Sequence, residues 1–117
     1  MIRPENISLT LEQIANSSRV KLVNVSPYKI YDQGRPTEQI GGFAYECVCP
    51  ANRYEKIVVK VPDLPPVISN DQIDETTFVA FEGFGARFYR DRMGRYQLSC
   101  RAERAILLQG GTNNDQD

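Results

Sequence analysis

Apolar and polar residues alternate with a period of two along most of the chain's middle, the repeat expected of strands that turn one face to a core and the other to solvent. The pattern is cleanest from Tyr54 to Val61, where Ile57, Val59 and Val61 alternate with Val58 and Lys60. Before it, the run from Glu38 to Val48 places Phe43, Tyr45, Cys47 and, just beyond, Cys49 on one face, with Ala44, Glu46 and Val48 on the other. Gly41-Gly42 weakens the start of that strand and predicts a bulge. A still earlier β-branched and aromatic run begins at Arg19 and continues through Tyr28 to Tyr31; Pro27 either marks an edge within it or divides it in two. Asp32-Gln-Gly34-Arg-Pro36 supplies turn chemistry and makes a hairpin the natural connection between the two runs.

The first segment has a different rhythm. Thr10 and Gln13 are spaced as a capping box, and Leu9, Leu11 and Ile14 can share part of a helical face, so Ser8 to Ser17 is expected as a short helix that must dock on something larger. After the third strand, Pro62 to Glu75 holds three prolines and several acids with little periodicity, and is expected to be a long connection. Thr76 to Phe81 resumes the β pattern, Gly83 and Gly85 punctuate it, and Ala86 to Arg90 continues it as a bent strand. Asp91-Arg-Met-Gly94-Arg is a turn, and Tyr96 to Leu108 returns as the last strand. Residues 109–117 hold no apolar anchor and are expected to form a flexible C-terminal tail. Five curved antiparallel strands with a long connection between the third and fourth predict a mainly β domain over residues 1–108: a small five-stranded barrel of the OB type with a short N-terminal helix.

Composition narrows what such a domain could do. The 117 residues suffice for one modest core. Nowhere do about 18 apolar residues run together, and Met-Ile-Arg-Pro-Glu does not open like a signal peptide, so a cytoplasmic protein without membrane partners is expected. With no histidine, the chain lacks the commonest general base and metal ligand. Cys47, Cys49 and Cys100 are an odd number and form no zinc pattern; buried, reduced thiols are the simple expectation. The glycine pairs match no phosphate loop, and Asp71, Asp74 and Glu75 fall in a predicted connection rather than facing one another. No catalytic residue, metal or cofactor is therefore expected, and the function is expected to be binding.

Net charge is −1, too little to hold nucleic acid by bulk attraction. It is unevenly distributed, however. From Gly85 to Ala105 six arginines stand against two acids, leaving the remainder of the chain net −5. Arg87 and Tyr89 alternate onto one strand face, Gln97, Ser99 and Arg101 form the matching face of the next strand, and Arg90, Arg92 and Arg95 crowd the turn. Guanidinium groups for phosphates beside an aromatic face for a base are what single-stranded nucleic acid requires. Tyr28, Tyr31, Tyr45 and Tyr54 are further candidates for stacking, although core packing accounts for each of them singly. Aromatic and arginine residues equally suit a protein interface, in which Phe84, Phe88 and Tyr89 would dock a partner.

The stretch TTFVAFEGFGARFYRDRMGRYQLSCRAERAILL, Thr76 to Leu108, resembles the end of an OB-fold single-stranded-DNA-binding domain: a strand reaching a glycine, a polar arginine-bearing strand, a short charged turn, and a closing strand. The order of strands from Lys21 to Leu108, with Val-Lys-Val-Pro at Val59 to Pro62, is similar to the small YdcP-type proteins of integrative and conjugative elements, implicated as helicase processivity factors. The resemblance implies DNA contacts at Arg87, Tyr89, Arg90, Arg92, Arg95 and Arg101. It also implies a helicase or other replication protein as partner, a role in replication or conjugation of a plasmid or mobile element, and a fold compatible with a homo-oligomer. Two departures stand out: the chain has no tryptophan, and Asp115-Gln-Asp117 is only faintly acidic. A strand-coating housekeeping protein is not expected; the competing expectation is an interaction or structural module of a phage or conjugation machinery.

Overall fold

The computed structural model describes residues 7–108, so the expected tail lies outside the described residues. The architecture is mainly β: one open, mixed, eight-stranded sheet with a short N-terminal helix. In chain order the elements are β1 (Ser8–Leu9), α1 (Leu11–Ala15), β2 (Val20–Asp32), β3 (Arg35–Cys49), β4 (Glu55–Val61), β5 (Phe78–Glu82), β6 (Gly85–Arg90), β7 (Tyr96–Arg101) and β8 (Arg104–Leu108). Across the sheet they run β1-β6-β7-β4-β3-β2-β5-β8, all neighbours antiparallel except β4 and β7.

Eight strands replace the expected five for identifiable reasons. The expected helix over Ser8 to Ser17 starts only at Leu11, because Thr10 is its N-cap: the Thr10 hydroxyl accepts from the Gln13 amide at 3.2 Å and the Gln13 side chain accepts from the Thr10 amide at 2.8 Å. Ser8 and Leu9, left outside the helix, pair with Arg87 and Ala86 of β6 as a two-residue strand. The expected fourth and fifth strands are each divided, at Gly83-Phe84 and at Ala102-Glu103. Their pairing nevertheless continues across the break, Glu82 opposite Arg104 and Gly85 opposite Arg101, so the two halves form one bent hairpin.

β2 and β3 form a long arm. Gln33 and Gly34 at its tip both have positive φ, 53° and 80°, as a two-residue hairpin turn requires. Pro27 sits within β2 opposite Phe43, and β2 pairs on its other side only through Val20 and Lys21, so the missing amide of Pro27 leaves no partner unsatisfied. The predicted bulge falls at Gly41: Tyr28 pairs with Gly42 and Lys29 with Ile40, leaving Gly41 unmatched.

The core follows the two-residue alternation. Tyr45, Cys47 and Cys49 of β3, Ile57, Val59 and Val61 of β4, Val20, Leu22 and Val25 of β2 and Val79 of β5 are buried together with Cys100. The three cysteines are unbridged; burial raises the Cys47 thiol and pushes that of Cys100 up to about 11, so they serve as small apolar fillers. Leu11 and Ala15 bury the helix against this core. The connection from 62 to 77, which includes a short turn at Asn70–Gln72, is pinned along its length. Asn70 hydrogen-bonds both backbone groups of Val25, at 2.7 and 2.8 Å, and the Leu22 amide donates to the Thr77 carbonyl at 2.9 Å.

The third pin is the buried Tyr45 hydroxyl, which accepts from the Val67 amide at 3.0 Å while its ring meets Phe81 edge-on at 6.0 Å. Replacing Tyr45 with phenylalanine keeps the ring and strands the Val67 amide. The expected loss is about 1 kcal/mol, read as a lower urea midpoint with an unchanged slope.

Candidate nucleic-acid interface

The turn at the end of the β6–β7 hairpin is built around one carboxylate. Asp91 accepts from the backbone amides of Met93 and Arg95, each at 2.9 Å, and from the Gln97 side chain at 3.1 Å, while the Gly94 amide bonds the Asp91 carbonyl at 3.0 Å. The Gln97 bond first, then those of the Arg95 and Met93 amides, hold its carboxyl below the usual range. The turn's support is therefore complete at neutral pH and is lost as pH falls through that depressed value. The hairpin thus reaches solvent as a shaped element.

Register sorts the hairpin's side chains into two faces. Gly85 stands opposite Arg101, Arg87 opposite Ser99, and Tyr89 opposite Gln97; between them Ala86 meets Cys100, Phe88 meets Leu98, and Arg90 meets Tyr96. The first set is the exposed face, and it contains the residues expected to share it. Arg90 lies on the reverse face, its guanidinium 5.4 Å from the Tyr96 ring centre. Arg95 is 3.8 Å from Asp91 in the turn, and Arg92 is exposed there without joining the Arg87–Arg101 row. Arg104 pairs with Glu82 at 3.2 Å. Phe84, Phe88 and Tyr89 do not make one surface: Phe84 packs toward Phe81, and Phe88 and Tyr89 point to opposite faces.

The exposed face extends beyond the hairpin. Because β4 runs parallel to β7 with Lys60 beside Arg101, the row continues through Lys60 to the β2–β3 arm, where the Lys60 ammonium lies 5.4 Å from the Tyr28 ring centre. Between this face and the arm runs a groove of about 960 Å³, lined by Tyr28, Lys29, Ile30 and Tyr31 of the arm, by Lys60, Arg87, Ser99 and Arg101 of the exposed face, and by Ser8, Pro62, Gly85 and Glu103 among others. A Cβ at Gly85 would meet nothing within 4 Å, so the floor beside Arg101 is open.

Among the described residues, no carboxylate lies within salt-bridge distance of Lys29, Lys60, Arg87 or Arg101. Like charges on neighbouring strands cost stability. Placing Lys60 beside Arg101 without a neutralising acid suits an anion that arrives from outside.

Of the six residues marked out by sequence, Arg87 and Arg101 line the groove and Tyr89 lies on the same exposed face, whereas Arg90, Arg92 and Arg95 are placed elsewhere. Tyr28 and Tyr31, candidates for stacking, do line it; Tyr45 is core and Tyr54 is exposed away from it. Sequence reasoning misses Lys29, Lys60 and Glu103. For Lys60 the available signal is its outward position on the cleanest alternating strand, but nothing local announces that β7 is its neighbour.

Among the described residues no group of three histidine, cysteine, aspartate or glutamate side chains is arranged to hold a metal ion, and no helix is long and apolar enough to cross a membrane. In comparisons with known proteins, the chain matches no family model, no curated protein and no solved structure.

Proposed function

We propose that this chain is a non-enzymatic accessory protein that binds single-stranded DNA in the groove between the β2–β3 arm and the β6–β7 hairpin, in replication or transfer of a plasmid or mobile element. The observation that carries this reading is the row Lys60, Arg101 and Arg87, adjacent in space, exposed and free of carboxylate partners among the described residues, with Tyr28 at its end. Guanidinium and ammonium groups hold phosphates, and tyrosine faces accept unstacked bases at about 1–3 kcal/mol each. A duplex has no free base faces to offer Tyr28 and Tyr31.

The strand pairing supports an OB-like barrel as the scaffold. Taken as two long bent strands, β5–β6 and β7–β8 pair along their length, and together they reach β2 through β5 and β4 through β7. That is the connectivity five long strands need in order to close, and the groove then lies on the face where such barrels take oligonucleotides. Mechanistically, the protein would hold a separated strand against reannealing while a partner helicase supplies the motor.

The test is fluorescence anisotropy with a labelled oligonucleotide about 30 nucleotides long, single- and double-stranded, at two salt concentrations. Salt-sensitive binding that favours the single strand is expected. The exposed Ile30, Tyr31 and Ile40 on the arm favour the second reading, a protein-docking module. Indifference to DNA at low salt, with salt-resistant capture of a protein partner, would establish it instead.

A further inference from the structure

Glu103 is out of place in a groove that would hold phosphates. It lines the same cavity as Lys60, Arg87 and Arg101, at the point where the last strand breaks between β7 and β8. Its backbone is fixed, the Glu103 amide donating to the Glu82 carbonyl at 2.9 Å. Its side chain lies directly over Gly83: a Cβ added there would come within 2.6 Å of both Glu103 Cγ and Cδ, and Gly83 has φ +66°, so a glycine suits both the backbone and the carboxylate's position. Among the described residues no cation comes within salt-bridge distance of this carboxylate, and no side-chain or backbone donor is hydrogen-bonded to it.

A carboxylate beside a phosphate path repels the backbone unless it faces a base. We infer that Glu103 reads a base edge and gives the groove a preference for guanine over thymine; the inference rests on the nucleic-acid reading of the groove. An unpaired guanine offers two parallel N–H donors, at N1 and N2, that match the two oxygens of a carboxylate. Thymine offers one N–H flanked by two carbonyl oxygens, which the carboxylate repels. Lys60, Arg101 and Arg87 then take the phosphates while Glu103 takes a base edge, a division that a single-stranded ligand with its pairing edge free can satisfy.

The experiment compares an all-thymine oligonucleotide about 15 nucleotides long with the same strand carrying guanine at every third position, and with inosine in place of those guanines, by anisotropy. The unmodified protein should bind the guanine strand about tenfold tighter than the thymine strand, with inosine between them because it lacks the N2 amine. Glu103→Ala should remove the difference and leave thymine binding no weaker, with an unchanged circular dichroism spectrum and melting temperature. Glu103→Gln, which offers one acceptor and one donor, should also lose the guanine preference. Equal affinity of the unmodified protein for all three strands, or a preference that survives Glu103→Ala, overturns the inference while leaving strand binding intact. Absence of binding to every strand at low salt overturns the nucleic-acid reading itself and this inference with it.

Discussion

Replacing Lys60, Arg87 and Arg101 together with alanine is expected to weaken single-stranded DNA binding about 100-fold and to leave the fold intact. The three side chains are exposed, and none has a carboxylate partner among the described residues. Their removal breaks no ion pair, and it relieves the repulsion between Lys60 and Arg101. The folded chain gives up the attraction of the Lys60 ammonium to the Tyr28 ring, worth about 0.5 kcal/mol at an exposed site. Binding should respond differently, because each cation that neutralises a phosphate releases counterions from a single strand. Losing three should lower the slope of log affinity against log salt by about 2. Replacing Arg90, Arg92 and Arg95 is the matched control. It removes the same charge from the same region of the surface, but from the reverse face and the turn, and should change affinity far less. Equal losses from the two triple variants would mean that net charge, rather than the groove, holds the strand.

Gly42→Ala is expected to cost about 2–4 kcal/mol of stability. At Gly42 an added Cβ would overlap the Val61 carbonyl oxygen and approach Pro62 Cα to 2.7 Å, and both are backbone atoms that cannot rotate away. The Tyr28 hydroxyl lies 2.8 Å from the same would-be Cβ, and Tyr28 and Pro62 both line the groove. Whatever shift admits the methyl should move Tyr28 relative to Lys60, so a lower urea midpoint should be accompanied by weaker strand binding. Gly34→Asn is the control. Gly34 also has positive φ, but nothing lies within 4 Å of its would-be Cβ and asparagine tolerates that conformation, so the expected cost is under about 1 kcal/mol.

Local rules of the chain are legible where they decide structure locally. The Thr10–Gln13 capping box and the burial of Tyr45, Cys47, Cys49, Ile57, Val59 and Val61 follow from spacing, and a turn within Asp32 to Pro36 and a bulge at Gly41-Gly42 follow from residue chemistry; that the turn is the two residues Gln33 and Gly34 emerges only from the strand register. Non-local pairing is not legible. The parallel contact of β4 with β7 joins residues about 40 positions apart, across the connection that begins at Pro62, and no periodicity encodes it. The break at Ala102-Glu103 is hidden because the residues from Tyr96 to Leu108 keep a strand-like composition through the bend. Ser8-Leu9 reads as helix because a capping box fixes where a helix starts only when the residues before the cap are left out of it.

The same limit shapes the candidate site. Arg87, Tyr89, Gln97, Ser99 and Arg101 can be grouped because antiparallel hairpin register is local, and register also separates Arg90 from Arg87. Lys60 and Glu103 enter the site through the tertiary arrangement, as does the arm that carries Tyr28 and Tyr31. Half of the six arginines concentrated between Gly85 and Ala105 are occupied otherwise: Arg95 with Asp91, Arg104 with Glu82, and Arg90 over Tyr96.

A single strand lying in the groove is distinguished from one lying on the turn by amide chemical-shift mapping during titration with a short single-stranded oligonucleotide. The largest perturbations should fall together at Tyr28, Lys60, Arg87, Ser99 and Arg101, with the amides from Asp91 to Arg95 little affected. Perturbations centred on Asp91 to Arg95 and the reverse-face pair Arg90 and Tyr96, with the groove unmoved, would contradict it.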